Sequence, residues 1–170
     1  RGAAAHPQRR AVVFGDQVLS YAQLQAQAAA VAGWLQQVAG VQAGDRVLLF
    51  SQNRPEWVAA FYGALRADAL VVPMNAMSTE DDLRWLCADS GARVLIVSAE
   101  LAPRAAALRR QGLLDRLLVL PVDGRPAPDD AAAVTTPWAD VLAAAHVPAA
   151  PRATPDDLCL LPYTSGTTGR

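Results

Sequence analysis

Arg46-Val47-Leu48-Leu49-Phe50-Ser51 is apolar at consecutive positions, where a half-exposed strand would alternate. A strand of this kind is buried on both faces, as in parallel sheets covered by helices. Three similar runs follow, at Leu70 to Pro73 (L-V-V-P), Arg93 to Val97 (R-V-L-I-V) and Arg116 to Leu120 (R-L-L-V-L). The intervals between them carry helical patterns. Pro55 suits the first turn of a helix whose apolar face is expected at Val58, Phe61, Tyr62 and Leu65. Ser78-Thr79-Glu80-Asp81 resembles a capping box opening a helix with Leu83, Leu86 and Cys87 inward. Glu100 to Gln111 reads as a further helix. Buried strands alternating with amphipathic helices predict an α/β fold, a doubly wound and mostly parallel sheet with flanking helices. Ligands of such sheets bind beyond the carboxyl ends of the strands.

Towards the amino terminus, Val12 to Phe14 and Val18 to Ser20 flank Gly15-Asp16-Gln17, which reads as a β-hairpin. Ser20 is placed to cap a helix over Tyr21 to Val38, with Leu24, Ala28, Val31, Leu35 and Val38 in one stripe. Gly40 and Gly44 bracket its exit. Towards the carboxyl terminus, Pro121 to Thr136 is rich in Pro, Asp and Ala and reads as a surface excursion. A short helix is expected over Pro137 to Ala145, with Trp138, Val141, Leu142 and Ala145 on one face. After a Pro-containing connection, Leu158 to Tyr163 is expected to be a last buried strand. The organisation is therefore a hairpin and helix over 11–39, an alternating strand and helix layer over 45–146, and a strand with a terminal loop over 157–170.

The chain has 170 residues, 52% hydrophobic and 18% charged, the balance of a globular protein and not of a disordered one. No apolar run approaches the roughly 18 residues of a membrane-spanning helix, and Arg1 to Arg10 lacks the apolar stretch of a signal peptide. A net charge of −1 gives no electrostatic reason to propose nucleic acid or an anionic membrane as partner. All fifteen basic residues are Arg, so no Lys is present as amine nucleophile or phosphate ligand. Cys87 and Cys159 form no CxxC pair, and His6 and His146 stand alone, so two reduced thiols of a cytoplasmic protein are expected and no metal ligand set is assigned. Trp34, Trp57, Trp85 and Trp138 are expected to serve packing. The missing initiator Met leads us to expect a piece of a longer protein.

The terminal loop carries the chemistry. Thr164, Ser165, Gly166, Thr167, Thr168 and Gly169 combine hydroxyl donors with two glycines directly after Tyr163. Glycines let backbone N–H groups approach a phosphate, and hydroxyls add further donors. The spacing is not that of a Walker A loop, which needs G-x-x-x-x-G-K. On composition alone the string could equally be a Gly- and Ser/Thr-rich turn.

The string Y-T-S-G-T-T-G resembles the signature of the adenylate-forming superfamily, which includes acyl-CoA synthetases, peptide-synthetase adenylation domains and luciferases. The resemblance runs along most of the chain. Leu19-Ser20-Tyr21-Ala22-Gln23-Leu24 is similar to the family's early segment, and Gly40-Val41-Gln42-Ala43-Gly44-Asp45-Arg46-Val47 to the next. Asn53-Arg54-Pro55-Glu56-Trp57 through Val72-Pro73-Met74-Asn75 resembles a third, and Pro155-Asp156-Asp157-Leu158 the usual approach to the loop. Asp68 departs from the pattern, since the family usually has Gly there. Asp tolerates a positive φ better than most residues.

The resemblance implies the incomplete amino-terminal part of an acyl-CoA synthetase-like domain. Thr164 to Gly169 would bind the ATP phosphates, with Mg²⁺ and coenzyme A as further requirements of the complete enzyme and a carboxylic acid, by base rate a fatty acid, as substrate. The family's nucleotide-ring site, ribose-binding acid and catalytic Lys would lie after Arg170, so no catalytic residue is expected in this stretch, and it is expected to be inactive alone. Asn75 and Glu56 match family positions, with loop-orienting roles expected. Two alternatives stay open at this point: an adenylation domain charging a carrier-protein thiol, and a non-catalytic α/β interaction domain. A truncated sheet would also leave apolar surface uncovered, so self-association of the chain is expected.

Overall fold

A computed structural model describes residues 2–123, 125 and 134–163. Helix α1 (Gly2–Ala5) leads into the hairpin β1 (Arg10–Phe14) and β2 (Gln17–Ser20), which is antiparallel and separate from the main sheet. Helix α2 (Tyr21–Gln37) follows at once. Ser20 Oγ accepts the Gln23 N–H while Gln23 Oε1 accepts the Ser20 N–H, a reciprocal capping box that fixes where the helix starts.

The main sheet contains β3 (Arg46–Phe50), β4 (Leu70–Met74), β5 (Val94–Ser98), β6 (Arg116–Leu120) and the short β7 (Thr136–Pro137), all parallel, in the order β4-β3-β5-β6-β7. Helices α3 (Pro55–Arg66), α4 (Glu80–Ser90), α5 (Ala102–Arg110) and α6 (Trp138–Ala144) complete the layer. The chain leaves β3 to one side, returns past it, and proceeds to the other side, so strand order reverses between β3 and β5. This is a doubly wound α/β sheet with a switch point.

Period-two alternation along the strands divides the core. Val47, Leu49, Val71, Ile96, Leu118 and Leu120 face α2, α3 and α6, whereas Leu48, Phe50, Val72, Leu95, Val97 and Leu117 face α4 and α5. Each consecutive apolar run is thus two half-strands of core, which is why those runs are continuous. Thr79 caps α4 through a second reciprocal box, with Asp82 at its third position. Leu83, Leu86 and Cys87 point inward as their spacing predicts. Gly91 then stops the helix at φ 67.

Three local expectations need correction. The inward face of α3 consists of Ala59, Ala60, Gly63 and Ala64, while Tyr62 is 51% exposed and Val58, Phe61 and Leu65 are only partly buried. The reason is the close crossing of α2, where a Cβ on Gly63 would sit 2.6 Å from Val31 Cβ. Only small residues allow that approach, so the large ones are displaced to the flanks, where Phe61 stacks on Trp57. Helix α2 is likewise not one stripe: Ala30, Ala32, Gly33 and Trp34 are buried alongside Ala28, Val31 and Leu35, and Val38 is exposed. Its second half is enclosed by α3 on one side and by α6 with its following segment on the other. Third, Leu158 to Tyr163 is not a buried strand. Leu158 is 77% exposed, and the segment meets the sheet at one parallel bridge, Leu160 to Val71.

Of the four tryptophans, Trp34 and Trp138 are buried and Trp57 partly so, but Trp85 is half exposed. Both cysteines are unpaired. Cys87 is buried, and burial pushes its thiol up to about 11, whereas Cys159 is exposed. Most of the expected surface excursion over 121–136 lies outside the described residues.

Candidate nucleotide-binding site

The six residues expected to hold phosphate, Thr164, Ser165, Gly166, Thr167, Thr168 and Gly169, lie outside the described residues. What the structure does describe is the stretch that delivers them. Its first anchor is on α2: Gln37 Nε2 donates to the Val147 carbonyl (2.6 Å), and the Ala149 N–H donates to Gln36 Oε1 (2.9 Å). Its second is Asp68. That residue has φ 59, in the left-handed region that Asp tolerates better than most residues. Its carboxylate accepts the N–H groups of Arg152 (2.9 and 3.0 Å) and Ala153 (3.1 Å), more than 80 positions later. A Gly at this position would have no side chain to supply that anchor.

The stretch then folds on itself. Asp157 Oδ2 accepts both the N–H (2.6 Å) and the hydroxyl (2.9 Å) of Thr154, and these bonds hold the Asp157 carboxyl below its ordinary value. Asp157 is therefore the carboxylate that closes this turn. Beyond it, the Val71 N–H donates to the Cys159 carbonyl (3.0 Å) and the Leu161 N–H donates to the Val71 carbonyl (2.9 Å). Two bonds on one residue of β4 set the register of the approach.

The last described residue is also tied down. The Tyr163 hydroxyl donates to Asp89 Oδ2 at 2.6 Å, and its ring meets Trp85 edge-on at 5.4 Å. Burial, the hydrogen bond to Asp89 and that carboxylate's charge together push the Tyr163 phenol up to about 12, so it remains a donor at neutral pH. Trp85 and Asp89 both lie on α4, in a helix otherwise recruited for the core. Neither was singled out for a role at the site from the sequence.

At the switch point, Ser51 and Ser98 end β3 and β5 and are buried. Arg54 spans the crevice, donating from Nη1 to the Pro121 carbonyl (2.7 Å) and lying 3.6 Å from Glu100. Its Nε and the Ser98 hydroxyl have no hydrogen-bond partner among the described residues. Asn75 does orient its loop, accepting the Met77 N–H at 2.9 Å, and Glu56 sits in the first turn of α3, where a negative charge is favourable. Among the described residues no group of three or more His, Cys, Asp or Glu side chains is placed to hold a metal ion. A cavity of about 600 Å³ lies beside the approach, lined by Asp68, Leu70, Arg152, Thr154, Asp157 and Cys159. No described helix is long and apolar enough to cross a membrane.

Comparison with known proteins bears on what this scaffold serves. The family described as "AMP-binding enzyme" matches residues 1–170. A feruloyl-CoA synthase from Amycolatopsis sp. is 36% identical over the whole chain, which spans 30% of that protein. The long-chain-fatty-acid–CoA ligase FadD13 of Mycobacterium tuberculosis is 34% identical over 91% of the chain and 28% of its own length. Among solved structures, the anthranilate CoA ligase AuaEII in complex with anthranoyl-AMP superposes with a TM-score of 0.80 at 25% identity, over 99% of this chain and 30% of that one. The chain therefore spans about a third of the length of the curated relatives it matches.

Proposed function

The chain belongs to the AMP-binding enzyme family over its full length, and on that premise we propose that it is the amino-terminal part of an ATP-dependent acid–thiol ligase. In the complete enzyme, a carboxylate oxygen attacks the α-phosphorus of ATP and pyrophosphate leaves, giving an acyl-adenylate. The thiol of coenzyme A then attacks the acyl carbon and AMP departs, giving the thioester. The first step makes a good leaving group, since AMP leaves an acyl carbon far more readily than hydroxide. Thr164, Ser165, Gly166, Thr167, Thr168 and Gly169 supply donors to the ATP phosphates, stabilising charge where it accumulates. Mg²⁺ enters with ATP as its counter-ion, and no step here runs through a metal held by described residues. The enzyme works in the cytoplasm, in keeping with two unpaired thiols. The acid is hydrophobic, either aromatic or long-chain, a reading supported by the names of the relatives.

One observation carries the proposal: motifs in family order run the length of the chain and end in Y-T-S-G-T-T-G, on a doubly wound sheet of the matching kind. The test is ATP–pyrophosphate exchange by the complete gene product over a panel of cinnamic, benzoic and fatty acids, followed by thioester formation with coenzyme A. Exchange that depends on one class of acid is expected. Its absence with every acid would refute the ligase reading. Residues 1–170 alone are expected to give no exchange, and turnover by them would show that the catalytic groups are not located after Arg170.

A further inference from the structure

We propose that Tyr163 and Asp89 form a latch that positions the phosphate loop, with Trp85 as its backstop; this rests on the ligase reading above. Tyr163 is the residue immediately before Thr164. Its backbone arrives from a bridge held only by Val71, because the approach makes no further ladder with β4 among the described residues. A segment paired at one residue has little to fix its direction a few residues on. The side chain supplies what the ladder lacks: a hydroxyl bond of 2.6 Å to a carboxylate and an edge-on ring contact, both made to one rigid helix.

The partners suit the task. Asp89 offers a carboxylate as the acceptor, and a hydrogen bond to a charged acceptor is roughly twice as strong as a neutral one. Helix α4 is fixed by its capping box and by Leu83, Leu86 and Cys87 in the core. Trp85 is half exposed, an unusual cost for its size, and the Tyr163 ring covers part of it. Leu161 and Tyr163 pack on the same side, against the α4 and α5 core. Tyr163 and Asp89 thus act through the loop's placement and touch no substrate themselves.

The test uses the complete enzyme. Tyr163→Phe keeps the ring and removes the hydroxyl; Asp89→Ala removes the acceptor; Asp89→Asn keeps an acceptor oxygen. Losing one hydrogen bond to a charged group is expected to raise the KM for ATP and its equilibrium dissociation constant by about tenfold in Tyr163→Phe and in Asp89→Ala. The KM for the acid stays within about twofold, and the melting temperature hardly moves. The double variant Tyr163→Phe/Asp89→Ala loses no more than either single one, because both remove the same bond. Asp89→Asn recovers most of the ATP affinity. Unchanged ATP binding in Tyr163→Phe, with wild-type exchange intact, would overturn the latch and leave the ligase reading standing. So would a parallel loss of ATP affinity, acid affinity and melting temperature, which is the mark of general unfolding. A wild-type enzyme without carboxylate-dependent exchange would overturn both.

Discussion

Replacing Gly33 by Ala sets two opposed effects against each other within one helix. In an exposed helix interior the change stabilises by about 1 kcal/mol, because Ala has the higher helix propensity. Gly33, however, sits where α2 touches the segment after α6. An added Cβ would lie 2.5 Å from the His146 carbonyl carbon, 2.7 Å from its Cβ, and closer still to its carbonyl oxygen. Backbone cannot rotate away as a flexible side chain could, so the segment must shift, at a cost typical of overpacking, about 1–3 kcal/mol. The shift also strains the bonds from Gln37 to Val147 and from Ala149 to Gln36, each about 0.5–1.5 kcal/mol. Subtracting the propensity gain leaves a net destabilisation of about 2 kcal/mol, equivalent to a fall of about 4–8 °C for a chain of this size. Thermal and urea unfolding followed by circular dichroism measure it. Ala26→Gly, on the exposed side of α2, calibrates propensity in the same helix and should cost about 1 kcal/mol. A Gly33→Ala chain as stable as the wild type, or more so, would refute the claimed contact and with it the path of 146–149.

Other expectations concern separate features. Asp68→Gly relieves a left-handed Asp but frees Arg152 and Ala153, so trypsin should cut after Arg152 faster while global stability changes little; Asp68→Asn should keep the slow rate. Equal cleavage in all three would show that the carboxylate does not hold the connector. Burial raises the Cys87 thiol from 9.0 to about 11, so the folded state favours the neutral form. Its contribution is therefore intact below pH 9 and lost as pH climbs from 9 towards 11. The urea midpoint of wild type should fall more steeply over that window than that of Cys87→Ala, and identical slopes would rule out the linkage. Finally, Met77, Val147 and Leu158 are 77–84% exposed, so the isolated 170-residue chain should associate as concentration rises. Light scattering that reports a monomer throughout would contradict this.

Local signals in the sequence sufficed where local physics decides. Ser20, and the stretch Ser78 to Asp81 to within one residue of the Thr79 and Asp82 box, mark their helix starts because a cap needs only residues three positions apart. The consecutive apolar strands identified a two-faced parallel sheet because both helical layers demand apolar partners. The inward face of α3 is not legible locally, because Gly63 owes its position to Val31 on another helix, and size alone favours Tyr62. Leu158 to Tyr163 suggests a buried strand by composition, but apolar residues indicate a preference for cover without specifying what provides it. Asp68 is a residue type that tolerates a positive φ, and the sequence shows that much, yet its hold on Arg152 spans 84 positions and leaves no pattern there. The pairing of Tyr163 with Asp89, 74 positions apart, is equally silent. The phosphate loop itself was legible as a string, and its role stays with the proposal.

The contrast between the two cysteines has a practical consequence. One thiol is enclosed and held protonated, and the other is open to solvent on the very segment whose carbonyl meets Val71. A maleimide fluorophore should therefore modify Cys159 alone, without any engineered site. Its anisotropy would then read out, in the native sequence, whether the approach to the loop is docked on the sheet or swinging free, and whether nucleotide changes that balance.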